Sequence, residues 1–215
     1  MEDANFDALV RGGYVQNFAP QIELITEGES SDFLHIVLEG AVELFAAWNG
    51  RDTTMATVRP LGTFILAATI RDAPYLMSAR TATKSRVILL PSEDVRAIFH
   101  SDNGFARSVV NELAQCYRSV VKDTKNLKLR TSIERLANYL LRKQVTLDGA
   151  ASFDLDIEKR RLASYLGMTP ENLSRAIRGL QPYGVTIEGA TVRITNQPDL
   201  VKLAKPTPLI DDPAS

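Results

Sequence analysis

The sequence predicts an α+β chain with three successive parts: an antiparallel β barrel or jelly roll, a long helix, and a winged helix-turn-helix. Three observations carry this. Between residues 15 and 91, short apolar segments recur between turn glycines at Gly28, Gly40, Gly50 and Gly62, as in a compact antiparallel β-domain. From 101 to 129 apolar residues recur at helical spacing. Between 157 and 180 two short helical patterns flank Gly167, and a strand–turn–strand pattern follows.

Residues 1–14 are weakly patterned and read at most as a short helix. Strand-like segments follow at 22–25, 34–38, 41–47, 55–58 and 87–90, and Asn49-Gly50 between two of them is a strong hairpin signal. Ser92 is placed to cap a short helix ending at Phe99. The long helix begins near Ser101 or Asp102 and reaches Leu129. In it Val109, Leu113, Cys116, Val120 and Leu127 fall at spacings of 4, 3, 4 and 7, with Asp123 the one polar heptad position. Such a stripe reads as a coiled-coil seam, so a homodimer is expected, with Cys116 a small apolar group inside it. Thr131 or Ser132 caps a further helix carrying Ile133, Leu136, Ala137, Leu140 and Leu141. The segments 185–187 and 191–194 flank Glu188-Gly189-Ala190 as a hairpin wing. A last helical turn or two covers 198–204. From Lys205 three prolines and two aspartates predict a poorly ordered tail, 205–215.

The helix pair carries the chemistry. Leu162, Ala163 and Leu166 share one face of the first helix. Gly167 stands where a helix ends in a left-handed residue, Thr169 is a natural N-cap, and Pro170 suits the first helical position. In the second helix Leu173, Ile177 and Leu180 point inward, leaving Glu171, Ser174, Arg175 and Arg178 outside. That layout fits a reader of double-stranded DNA. Arg175 can donate two bonds to guanine O6 and N7, Glu171 can accept from cytosine N4, and Ser174 can meet either base type, here a neighbouring thymine. Lys159, Arg160 and Arg161, with Thr169, Pro170, Asn172 and Arg178, are placed for the phosphate backbone or flanking contacts. Charge agrees. Residues 1–124 hold 11 basic and 16 acidic side chains, a net −5, whereas residues 125–181 hold 11 basic and 6 acidic, a net +5. A basic block behind an acidic front is the footprint of a nucleic-acid module joined to another domain.

Glu171-x-x-Ser174-Arg175 after Leu-Gly-Met-Thr resembles the recognition helix of the CRP/FNR superfamily of bacterial transcription regulators. It is closer to the FNR-like branches, and Pro170 is similar to the nitric-oxide-responsive denitrification regulators. The β-domain resembles the cyclic-nucleotide-binding β-roll, with Gly28-Glu29, Leu38-x-Gly40 and Leu61-Gly62-x-Phe64 at its turn positions. The resemblance spans about 28–203. It implies a β-roll sensor domain over 1–100, a dimerisation helix over 101–130 and a winged helix-turn-helix over 131–204. It also implies half-sites like TTGAT and RNA polymerase as a partner.

In that family a Gly-Glu pair and then an arginine hold the cyclic nucleotide. Here Leu66-Ala67 and Met77 stand at those positions, and only Ser78 remains. A phosphate buried without its arginine is costly, so no cyclic nucleotide is expected, unless Arg71 or Arg80 substitutes from off the motif position. Haem is the next candidate, with His35, His100, Met55 and Met77 able in principle to ligate iron. Against it, His35 in a strand-like run reads more simply as a core or surface histidine, and Met55 and Met77 as packing. No metal site is expected. The single Cys116 excludes an intramolecular disulfide framework and a four-cysteine cluster within one chain, and points to a reducing cytoplasm. With no HExxH, Walker or nucleophile-elbow motif, no enzyme is expected. No apolar run is long enough for a membrane span. The alternative is a ligand-binding or interaction module whose helix pair is structural. DNA retention that falls with salt separates the two.

Overall fold

The structure, a computed structural model, describes residues 1–212. It has two compact units, Met1–Cys116 and Tyr117–Ser215. The first opens with helix α1 (Asp3–Gly12) and strands β1 (Tyr14–Phe18), β2 (Glu23–Ile25), β3 (Phe33–Glu39), β4 (Val42–Trp48), β5 (Arg51–Val58) and β6 (Thr63–Phe64). Helix α2 (Leu66–Arg71), strands β7 (Ser78–Thr81) and β8 (Ser85–Pro91), and helices α3 (Ser92–Ser101) and α4 (Asn103–Leu129) follow. The strands form two antiparallel four-stranded sheets, ordered β1-β8-β3-β6 and β2-β7-β4-β5.

Strands β3 and β8 read as continuous apolar runs because both faces are buried. Val37 and Val87, paired in register, join Ile25, Val42, Leu44, Phe64 and Ala79 in one core. Leu34 and Leu90, also paired, face the opposite way and pack with Leu9, Leu66, Val95, Ile98 and Val109 of the helices. Asn49 and Gly50, at φ 50° and 74°, close the two-residue turn between β4 and β5 with Trp48 opposite Arg51. Both residues must be left-handed there, which Asn and Gly tolerate best. Strand β7, Ser-Ala-Arg-Thr, has no strand-like sequence and is extended because it is paired on both sides, with β2 and β4.

One helix start differs from expectation, and the other lies where the sequence put it. Ser92 is not a cap: Pro91 holds that position, and the Ser92 hydroxyl is buried without a partner among the described residues. Asp102 does cap α4, its Oδ1 accepting from the Phe105 N–H at 2.8 Å. Its Oδ2 accepts from Asn5 at 2.9 Å and the Glu2 N–H at 2.7 Å, so one carboxylate also anchors α1. These bonds, Asn5's first, hold its pKa well below the usual carboxylate range.

The predicted seam on α4 needs correcting. Val109 is 4% exposed in the core of the first unit, and Leu113 packs against the same cluster. Cys116 is exposed on the single chain, as a residue of an unpaired seam would be. Val110 (58%), Tyr117 (71%), Val120 (61%), Leu127 (47%) and Leu129 (70%) are left in the open, with Val121 at 39%. The helix carries two adjacent apolar stripes, and its own β-domain takes one of them.

The second unit contains the end of α4, then α5 (Ser132–Thr146), β9 (Ser152–Asp154), α6 (Lys159–Tyr165), α7 (Pro170–Leu180), β10 (Val185–Glu188), β11 (Thr191–Ile194), α8 (Gln197–Ala204) and α9 (Pro208–Asp211). Thr131 and Glu134 form a capping box at the start of α5. Leu136, Leu140, Leu162, Leu166, Leu173, Leu180, Val185, Val192 and Leu200 build one core, each burial being worth about 1.5–3 kcal/mol. The wing is present as β10 and β11, with β9 as a third strand that the sequence did not suggest.

The tail is also corrected. Through Asp212 it is folded onto the unit, and 213–215 lie outside the described residues. The Asp211 carboxylate takes Arg130 in a bidentate pair at 2.8 and 2.6 Å, Arg142 at 3.0 Å and the Thr207 N–H at 2.8 Å. Burial opposes ionisation of Asp211. The Arg130 and Thr207 hydrogen bonds and the two positive charges outweigh it and lower the pKa.

Candidate nucleic-acid interface

Helix α6 ends in a Schellman motif. The Met168 N–H reaches Ala163 O at 2.9 Å, and the Gly167 N–H reaches Ser164 O at 2.9 Å. Gly167 sits at φ 61°, and a Cβ there would collide with the Leu127 side chain. Two residues on, Thr169 caps α7, its Oγ1 accepting from the Asn172 N–H at 3.3 Å, with Pro170 at the first helical position. Cap, proline and glycine therefore fix where α7 begins and which way it faces.

Leu173, Ala176 and Leu180 anchor α7 in the core, and Ile177 is half-buried beside them. Glu171, Ser174, Arg175 and Arg178 are exposed, and Asn172 is half-buried at the edge of that face. Lys159 and Arg160 are exposed at the start of α6, whereas Arg161 is half-buried. Arg160, Arg175 and Arg178 form no salt bridge among the described residues. The Ser174 hydroxyl donates to Pro170 O at 3.0 Å, so it offers a base only acceptor lone pairs. Arg175 and Asn172 also line a shallow depression of about 340 Å³ with Thr131, Ser132 and Ile133. The start of α5 thus shares this surface. Sequence reasoning read Thr131 and Ser132 only as caps, because nothing local to 131–134 reports its contact with α7.

The residues expected to form an effector pocket have differing surroundings. Leu66 is buried among the helices, Ala67 is exposed, and Met77 is half-buried against the inter-sheet core. Ser78 Oγ accepts from the Glu27 N–H at 2.9 Å. Arg80 is engaged by Glu43 at 2.8 Å and Asp52 at 3.0 Å, and lies 4.3 Å from the Phe45 ring centroid. Arg71 is exposed at the end of α2. His35 is 2% exposed and stacks on Phe64 at 4.9 Å. Burial lowers its pKa to about 4 against a smaller opposing bond at Phe33. His100 and Met55 are exposed. Among the described residues no cluster of three or more His, Cys, Asp or Glu could hold a metal ion.

An antiparallel β-domain, a long helix and a winged helix-turn-helix with an exposed Arg-bearing face make up the architecture of a DNA-binding regulator. Residues 15–102 match the cyclic nucleotide-binding domain family, and residues 134–203 match the Crp-like helix-turn-helix domain family. The chain thus joins a domain of the cyclic nucleotide-binding type to a Crp-like helix-turn-helix, the two parts that its resemblance to CRP/FNR regulators led one to expect. Its fold is similar to that of a candidate cAMP-binding regulatory protein from Silicibacter pomeroyi DSS-3, 25% identical over 96% of this chain and 93% of that chain, TM-score 0.59. It is also similar to FixK2 from Bradyrhizobium japonicum, 23% identical over 91% and 98%, TM-score 0.73. A regulator ascribed to the crp/fnr family from Eubacterium rectale ATCC 33656 is 18% identical over 96% of each chain, TM-score 0.77. Among curated proteins none matches. Among the described residues no helix is long and apolar enough to cross a membrane.

Proposed function

We propose that the chain works as a homodimer that reads an inverted repeat with TTGAT-like half-sites through α7, and that its β-domain takes no cyclic nucleotide. The observation that carries the DNA reading is the exposed face of α7, where Glu171, Ser174 and Arg175 stand together next to a fixed helix start. Arg175 takes the guanine and Glu171 the cytosine amino group on the opposite strand. Ser174, its proton held by Pro170 O, meets thymine through the C5-methyl group or accepts from an adenine amino group. Lys159, Arg160 and Arg178, with Thr169, Pro170 and Asn172, serve backbone and flanking contacts. Regulation at a promoter adds RNA polymerase as a partner, and the compartment is the cytoplasm.

The β-domain supports the second half. Arg80 is already paired with two carboxylates, and no arginine replaces Met77, so a cyclic phosphate has no cation at the motif position. Haem does not fit either. His35 fills the core against Phe64, and ligation would require it to leave that packing.

Titration of a fluorescent duplex carrying the inverted repeat tests the reading. Arg175→Ala is expected to cost about 1–3 kcal/mol on that duplex. Lys159→Ala is expected to weaken cognate and scrambled duplexes alike and to lower the salt slope by about one. Equal wild-type affinity for cognate and scrambled duplexes contradicts the reading.

A further inference from the structure

The side chain of Arg135, on the first turn of α5, is used in a way the DNA face does not explain. It is 8% exposed and has no carboxylate partner among the described residues. Its donors go instead to four backbone carbonyls. Nε donates to Leu166 O at 2.8 Å, and one terminal nitrogen donates to Gly167 O at 3.3 Å. The other terminal nitrogen donates to Arg130 O at 2.8 Å and Leu127 O at 3.3 Å. The first two carbonyls lie at the end of α6, in the turn before α7. The other two lie at the end of α4. The last carbonyls of a helix have no partner within it, and a buried one needs a donor from elsewhere. One guanidinium supplies both helix ends at once, and its positive charge suits the negative end of each. Only Arg has a planar fork with donors on three nitrogens; Lys has one point of attachment. The same joint is closed from the other side by the Leu127 side chain against Gly167.

We propose that Arg135 is a positioning residue that locks the helix-turn-helix turn to the end of α4 and so fixes the direction in which α7 leaves that helix. In a dimer paired through α4, this joint occurs twice, and together the two copies set the separation of the recognition helices. Arg135 therefore governs which spacing between half-sites is accepted, without touching DNA. The inference rests on the DNA reading above.

The test is binding of the full-length chain to inverted repeats with the preferred spacer, with one base pair added or removed, and to a non-specific duplex. Wild type is expected to prefer one spacing by about tenfold, the penalty of a misplaced base contact. Arg135→Met and Arg135→Lys are expected to keep the non-specific affinity and its salt slope but to lose the spacing preference. A folded variant with the wild-type preference overturns this inference alone. Equal binding of all duplexes by wild type overturns the DNA reading and this inference with it. Should neither variant fold, hydrogen exchange of wild type decides. Amides at 130–132 and 166–168 are expected to open as one unit, and opening constants differing by more than about tenfold overturn the joint.

Discussion

Asp211 shows how one side chain decides whether a segment is tail or structure. It gathers Arg130, Arg142 and the Thr207 N–H, and ties α9 to the junction between α4 and α5. Its folded pKa lies below the ordinary carboxylate value. The stabilisation is therefore complete above the unfolded pKa, about 3.9, and is lost as pH falls through the lower folded value. Asp211→Asn is expected to cost about 1–2 kcal/mol at pH 7, as the loss of a charged hydrogen bond. Urea midpoints measured at pH 7 and below pH 3 check this. Wild type and variant should converge in acid, and a difference that persists there contradicts the assignment. None of this was legible in the sequence, where three prolines and two aspartates read as disorder. An ion pair between positions 81 residues apart leaves no local pattern. His35 is the reverse case. Its strand-like run already favoured a packed histidine over a ligand, and its ring stacks on Phe64.

Helix α7 was the most legible element because its whole specification is local. Thr169, Pro170 and the apolar positions 173, 177 and 180 fix its start and its buried face from within the helix and its cap. Helix α4 was legible as a helix but not in its orientation. Its two stripes differ by a one-residue rotation, and periodicity alone cannot say which stripe the β-domain buries. With Val109 taken, Val110, Leu113, Tyr117, Val120, Thr124 and Leu127 form a stripe at alternating spacings of three and four. That is the spacing of a coiled-coil seam. Val120→Glu is expected to shift the chain towards monomer, raising the dimer dissociation constant by at least about a hundredfold while leaving the far-ultraviolet spectrum intact. Val109→Glu is expected instead to unfold the first unit, because the charge would be buried without a partner. Sedimentation of both variants at micromolar concentration separates the two. A dimer undisturbed by Val120→Glu places the seam elsewhere.

At the scale of the molecule, the two units are distinct in chemistry as well as in fold. The first unit holds an apolar core between its sheets, and Arg80 is committed to Glu43 and Asp52. Calorimetry with cyclic AMP or cyclic GMP is expected to show no micromolar binding. Heat of binding at that level would mean that Arg71, or an Arg80 released from its carboxylates, holds the phosphate. The second unit presents cations outward on α6 and α7. Two such units related by a two-fold axis would enter successive major grooves roughly 34 Å apart. The same expectation follows for any winged helix-turn-helix dimer, and so the identity of the bases is what tests Glu171, Ser174 and Arg175 in particular. Selection of bound sites from random duplexes, run with wild type and Arg175→Ala, measures both at once. The expected result for wild type is an inverted repeat of TTGAT-like half-sites, with preference at the guanine lost in the variant. Enriched sites without two-fold symmetry, or a guanine preference unchanged in Arg175→Ala, would contradict it.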